Sequence, residues 1–250
     1  MIETPLFWAS AVIAVIITGI SKGGFGGLAL FAVPLMALTI SPIQAAGIML
    51  PILIVMDWIS LWAYRKTWDK KLLFIMLPGA IIGIAAGGLL AGFVSERGVR
   101  IGVGLIAILF PLYAVGSSLM NISMGKGVVG NKPLGVVAGI VAGFTSFIAH
   151  AGGPPFQAYV LAHNLDKRIY AGTAVMFFTV VNAVKVIPYA ALGQFDTVNL
   201  KTSLMLIPLA PIGVLIGVWL LKRINQDVFY RIMYGLIFMT GLKLLYDGLV

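Results

Sequence analysis

Two short stretches concentrate the polar chemistry of an otherwise apolar chain. The first is Ser21-Lys22-Gly23-Gly24-Phe25-Gly26-Gly27; the second is His150-Ala151-Gly152-Gly153-Pro154-Pro155, with Gln157 just beyond it. Lys22 supplies an ammonium group, and His150 an imidazole that titrates near neutral pH and donates to an oxyanion. Ser21 and Gln157 add neutral polar groups. Gly23, Gly24, Gly26, Gly27, Gly152 and Gly153 allow positive φ and a close approach of backbone to ligand. A helix starting after each stretch, near Gly27 and near Pro155, would turn its positive end back onto the interruption, and proline suits a first helical turn. Such a constellation prefers a small anion. Plainer readings stand beside it: the glycines can serve tight helix packing, Lys22 can snorkel to the outer surface, and His150 can be a satisfied structural side chain.

Asp57 is the one acid well inside a long apolar segment. Either it carries a proton for coupling, or it is the structural partner of a buried cation. Lys185 sits on the corresponding segment of the second half of the chain. Asp57 is nearer the inner end of its helix and Lys185 nearer the outer end of its own, so only the long lysine stem could close that pair. Asn182 is the direct counterpart of Asp57, each ten residues past a glycine, Gly172 and Gly47. Lys243 and Asp247, a turn apart, read as an anchor, and most of the five tryptophans as an interfacial belt. With no cysteine there is no disulfide, thiolate nucleophile or Cys-ligated metal. His150 and His163 stand in different contexts and make no metal site. No nucleophile and base share a helical face, so neither an enzyme nor a cofactor is expected.

The elements that must hold these residues are membrane helices. The 250 residues are 60% hydrophobic and only 10% charged, with 30 glycines and a mean hydropathy of +1.06. A soluble domain carries about 25% charged residues, so a soluble enzyme, a nucleic-acid-binding module and a disordered chain are all excluded. Six stretches approach the roughly 20 apolar residues of a crossing: 43–64, 72–94, 99–120, 169–192, 204–221 and 228–249. Two further regions, 6–40 and 134–161, are interrupted by the polar stretches. Their pieces look short for a full crossing, as half-helices or re-entrant segments do. The start, MIETPLFW, has Glu3 and no positive n-region, so the first apolar segment is expected to stay in the mature protein.

The chain also repeats itself. Pro78-x4-Gly83-x3-Gly87 returns as Pro208-x4-Gly213-x3-Gly217, and Arg100-Ile101-x2-Gly104-Leu105-Ile106 as Arg231-Ile232-x2-Gly235-Leu236-Ile237. Gly26-Gly27 corresponds to Gly152-Gly153, and Ala46-Gly47 to Ala171-Gly172. These matches divide the chain into a first repeat over 1–122, a linker at 123–131 and a second repeat over 132–250. The expected fold is an all-α polytopic membrane protein of two inverted repeats, each a broken or re-entrant helix pair plus three spanning helices. The net charge of +9 marks orientation rather than a nucleic-acid partner. Eleven basic residues (Arg65, Lys66, Lys70, Lys71, Lys126, Lys132, Lys167, Arg168, Lys222, Arg223 and Arg231) fall on one side and three (Arg97, Arg100, Lys201) on the other. The first side is read as cytoplasmic, with both termini outside.

Broken helices at matched places in two inverted repeats are typical of secondary transporters, because non-helical backbone at membrane depth must be buried in protein or line a wet cavity. The two breaks enter from opposite faces and are expected to meet near the midplane. SKGGFGG with Pro34 after it, AGFTSFIAHAGGPP, and the duplicated helices resemble the TauE/SafE family of sulfite and sulfonate exporters, over nearly the whole chain. The resemblance implies multi-pass insertion in a bacterial-type plasma membrane and export of a small sulfur oxyanion or organosulfonate, with protons as a candidate coupling ion. Lys22 and His150 fall inside the matching motifs. The partners are then a small anionic substrate and the lipid bilayer; oligomeric state is not legible. An anion channel on the same scaffold, or a membrane subunit without a substrate, are the alternatives.

Overall fold

A computed structural model describes residues 4–36, 39–90, 93–119, 127–191, 193 and 195–249. Glu3, Lys126 and positions 123–126 of the expected linker lie outside the described residues, as does the side chain of Pro34. All secondary structure among the described residues is helical: α1 (Pro5–Lys22), a 3-10 turn (Leu28–Phe31), α2 (Ala32–Met36), α3 (Pro42–Tyr64), α4 (Lys70–Leu90), α5 (Glu96–Leu119), α6 (Lys132–Ala149), α7 (Gly153–Leu161), α8 (Lys167–Ala191), α9 (Thr197–Leu206), α10 (Leu209–Arg223) and α11 (Gln226–Leu249). Seven of these (α1, α3, α4, α5, α6, α8 and α11) are long and apolar enough to cross a membrane; the bent pair α9 and α10 makes an eighth if it is one span. The chain is a multi-pass membrane protein.

Helix starts follow from local chemistry. The Ser41 hydroxyl accepts from the Gln44 amide at 3.2 Å, the Asn131 side chain from Leu134 at 3.0 Å, and Asp196 from Val198 and Asn199 at 2.8 and 2.9 Å. Each satisfies an amide that the first turn leaves without a helical partner. Pro5 and Pro42 stand in first turns, where the missing N–H costs nothing. At two places the helices depart from the sequence reading. The leading pieces of the interrupted regions are 18 residues each, because α1 runs on through Ser21 and Lys22, and α6 starts at the Asn131 cap. At 1.5 Å per residue that is about 27 Å, close to a full hydrocarbon thickness. The pieces after the breaks stay short. Conversely, the expected single segment at 204–221 starts earlier, at Thr197, and bends by 48° where Pro208 interrupts the ladder.

The fold divides into two compact units, one formed by Met1–Trp68 and Ala171–Asn225, the other by Asp69–Tyr170 and Gln226–Val250. Each draws on both halves of the sequence. In the first unit α1 packs along α10, with Phe7, Val15, Ile52, Met56 and Val214 among the side chains of its buried core. In the second, α4 packs along α6 and α5 along α11. The repeated glycines explain the closeness of these pairs. A Cβ on Gly213 would come within 2.9 Å of the Cα of Gly19, and one on Gly217 within 2.8 Å of the Cα of Gly23. On α4 and α6, a Cβ at Gly83 would strike the Ile140 carbonyl, and one at Gly143 the Ala80 carbonyl. The two copies of the proline–glycine motif therefore do the same job, bringing backbones together without intervening side chains, as small residues do between membrane helices.

Gly143→Leu is accordingly expected to destabilise the protein by about 1–3 kcal/mol or more through overpacking. Gly235→Ala, where a Cβ would meet nothing within 4 Å, is expected to be neutral or to gain up to about 1 kcal/mol from helix propensity. Thermal unfolding of the two variants in detergent separates them.

Candidate functional site

In the first unit, α1 ends at Lys22 and α3 runs past that end. The Lys22 ammonium donates to Oδ1 of Asp57 at 2.5 Å, and the Asn182 amide of α8 donates to Oδ2 at 2.7 Å. The lysine side chain is 11% exposed and that of Asp57 3%. The carboxylate is thus bonded on both oxygens, which is what a charged pair at membrane depth requires. Lys22 also lies over the Phe178 ring, 5.8 Å from its centroid. One turn beyond Asn182, the fully buried Lys185 lies over the Tyr189 ring at 5.4 Å. Of the two readings for Asp57, the structure displays an ion pair, and its cation is Lys22 rather than Lys185. Asp57 and Asn182, counterparts in the repeat, meet directly.

The backbone of the break is closely held. The Gly23 amide donates to Gly19 at 2.8 Å and that of Gly24 to Ser21 at 3.1 Å, while the Tyr64 hydroxyl of α3 donates to the Gly23 carbonyl. Ser21 is buried one residue before Lys22. Gly24 (φ 136°) and Gly27 (φ 103°) occupy conformations that L side chains rarely adopt. A Cβ on Gly23 would come within 2.5 Å of the Gly217 backbone, so packing alone demands glycine there. Gly26 and Gly27 complete the turn into the 3-10 segment. A helical segment does begin at Gly27, which caps the four-residue 3-10 turn leading directly into the five-residue α2. The helix end at this break is the carbonyl end of α1, and its positive character comes from Lys22, which suits a last turn.

The second break belongs to the other unit. His150 closes α6 in the left-handed conformation (φ 51°, ψ 25°), a place where glycine is more usual. The Thr145 carbonyl accepts from Ala151 at 3.1 Å, and the Thr145 hydroxyl lies 2.7 Å from the Val141 carbonyl and 3.1 Å from that of Ala151. Gly152 precedes α7, and a Cβ there would come within 2.6 Å of the Ala142 carbonyl. Gly153, Pro154 and Pro155 form the first turn of α7, as expected for a helix beginning at this point. Gln157 is buried on the next turn. Its Oε1 and the Tyr170 hydroxyl are both buried without a hydrogen-bond partner. His163 is accounted for by its ring contact with the Tyr159 carbonyl at 2.9 Å.

Lys22, Asp57, Asn182 and Lys185, read as separate candidates from the sequence, therefore form one cluster, whereas His150, Gly152, Gly153 and Gln157 belong to the second unit. Sequence reading passed over Ser60 and Tyr64, which follow Asp57 by three and seven residues and so share its face of α3. Lys243 bonds Asp247 at 2.6 Å, as expected, and Arg65 and Arg223 lie over the rings of Trp62 and Trp219 at 5.6 and 5.2 Å.

The model of one protein family, described as the sulfite exporter TauE/SafE, matches residues 11–244. Comparison with the curated proteins and with the solved structures gives no match.

Tyr64→Phe deletes the hydrogen bond that ties α3 to the Gly23 carbonyl. The expected loss is about 1–3 kcal/mol, since a buried acceptor is left without its donor, read as a lowered thermal midpoint. At His150, Gly is expected to be tolerated, whereas Val is expected to lower stability by about 1–3 kcal/mol because a β-branched residue is strained at positive φ.

Proposed function

Because the chain belongs to the TauE/SafE sulfite exporter family, we propose that it is a secondary transporter carrying a small sulfur oxyanion or organosulfonate, such as sulfite or sulfoacetate, out of the cell by alternating access, with protons as the coupling ion. The observation that carries this reading is the break after α1. It is an interruption of the helical backbone with a buried ammonium, Lys22, and a carboxylate, Asp57, at its edge. An ammonium there is costly unless it serves a purpose, and a compact cation suits a tetrahedral or pyramidal oxyanion. Orientation follows the basic residues, with the Arg65–Lys71 side cytoplasmic and both termini outside. Two observations support duplicated, inverted halves. The first helix of each half packs on the glycine motif of the other half (α1 on α10, α6 on α4), and the counterparts Asp57 and Asn182 bond each other.

A counterflow screen in liposomes tests the proposal, with sulfite, sulfate, thiosulfate, sulfoacetate and acetate. Saturable exchange of the sulfur anions is expected, and acetate should be carried poorly. Lys22→Ala, which leaves Asp57 buried without its cation, should lower stability and weaken apparent affinity by tenfold or more in the fraction that stays folded. Flux that rises linearly without saturation would identify a channel and overturn alternating access; unchanged affinity in Lys22→Ala would remove Lys22 from the site.

A further inference from the structure

In the state described above, the cation that should hold the anion is already occupied. Lys22 is bonded to Asp57, so an incoming anion and the Asp57 carboxylate compete for one ammonium group. A second observation marks where the anion would lie. The Ser60 hydroxyl is fully buried with no hydrogen-bond partner. A helical serine ordinarily donates to a carbonyl one turn back, and an orphaned buried hydroxyl costs about 1–3 kcal/mol. Ser60 sits on α3 between two residues that both reach the end of α1: Asp57, bonded to Lys22, and Tyr64, bonded to the Gly23 carbonyl. Ser60 therefore lies on the face of α3 that meets the end of α1, with its hydroxyl an unused donor.

We propose that Asp57 is a proton-operated gate on this site: a proton on its Oδ1 releases Lys22, and a singly charged oxyanion group, a hydrogensulfite or the sulfonate end of an organosulfonate, takes the carboxylate's place, held by the Lys22 ammonium and the Ser60 hydroxyl. This rests on the transport reading above and adds the order of events and the charge of the group that meets Lys22. The balance is simple. Lys22 keeps its proton throughout, Asp57 gains one, the Lys22–Asp57 ion pair opens and a Lys22–anion pair forms. A proton and a singly charged group enter together, so the charge of the cluster is the same before and after. Entry of the anion alone would leave two negative groups competing for Lys22 in a low-dielectric setting, which is strongly unfavourable. Asn182, bonded to the other carboxylate oxygen, holds Asp57 on α3 in either state.

The groups around Asp57 are consistent with this role. Its bonds are to Lys22 of α1 and Asn182 of α8, and Lys185 and Tyr189 of α8 lie further along the same face as Asn182. Tyr64 on α3 is engaged with Gly23. Among the elements packed on α3, α2 carries no charge, Lys201 of α9 is exposed, and Lys222 and Arg223 lie exposed at the end of α10. Asp57 is the carboxylate of the cluster, so a proton taken up with the anion goes there.

The test uses the purified full chain and methanesulfonate, a monovalent anion whose own charge is fixed between pH 5.5 and 8.5. Binding measured calorimetrically is expected to weaken as the pH is raised from 5.5 to 8.5, by up to about tenfold per pH unit, the limit that linkage to a single proton sets. One proton should be taken up per anion in weak buffer. Asp57→Asn should bind at least as tightly as the wild type at pH 5.5 and lose the pH dependence. Ser60→Ala should weaken binding about fivefold, the equivalent of one hydrogen bond, and keep the pH slope. A wild-type affinity that does not change with pH overturns the gate while leaving the transport reading standing, and needs no variant to fold. Asp57→Asn with the wild-type slope also overturns it, and an unaltered affinity in Ser60→Ala removes Ser60. No binding of methanesulfonate at any pH overturns the anion site itself.

Discussion

A charged amine at the end of a membrane helix has to be answered by something, and here Asp57 answers it. The Lys22–Asp57 pair fixes where α1 stops relative to α3, and Asn182 brings α8 to the same point. An isolated charge inside a low-dielectric medium costs many kcal/mol, so removing either partner leaves the other more expensive than the pair ever was. The glycine contacts between α1 and α10 serve the same arrangement. Without a side chain at Gly23, the helix can end against backbone and deliver Lys22 to α3 with no detour.

The pair is bonded but not inert. A carboxylate is a proton acceptor and an ammonium an anion binder, so the pair has chemistry that an apolar contact lacks. A wholly apolar junction would pack as well and insert more easily. That a charged pair stands here, beside an unsatisfied hydroxyl and an interrupted backbone, is what gives the unit chemistry. The second break is built from other means: a left-handed histidine, a threonine that ties the two sides of the interruption, and a nine-residue helix entered through two prolines.

Much of this was legible in the sequence. Composition fixed the membrane class, and Gly24, Gly27 and His150 stand where the backbone takes conformations that break a helix, so both interruptions were found where they occur. The four members of the cluster were each picked out, because a polar residue inside an apolar run is conspicuous. Their pairing was not. Hydropathy says how deep a residue lies along its helix, yet not which neighbour its face meets, and the repeat pointed to Lys185 rather than Lys22 as the cation for Asp57. Ser60 was missed because a lone serine is unremarkable in a membrane helix until its hydrogen bonds are counted. Helix lengths were underestimated where α1 and α6 continue through polar residues, since apolar counting stops at the first of them. The bend at Pro208 was missed for the opposite reason: apolar runs hide a proline that changes direction without changing hydropathy.

The spacing of the pair along the chain bears on how the protein is made. Lys22 and Asp57 are 35 residues apart, and Asp57 and Asn182 are 125 apart. At about 5–20 residues per second of synthesis, Lys22 waits roughly 2–7 s for its carboxylate. Asp57 then waits roughly 6–25 s more for Asn182. During the first interval the α1 ammonium has only its flexible stem to keep it near water. Biogenesis therefore has a built-in order: the ion pair closes early within the first half, and the amide that completes it arrives only when most of the chain has been inserted.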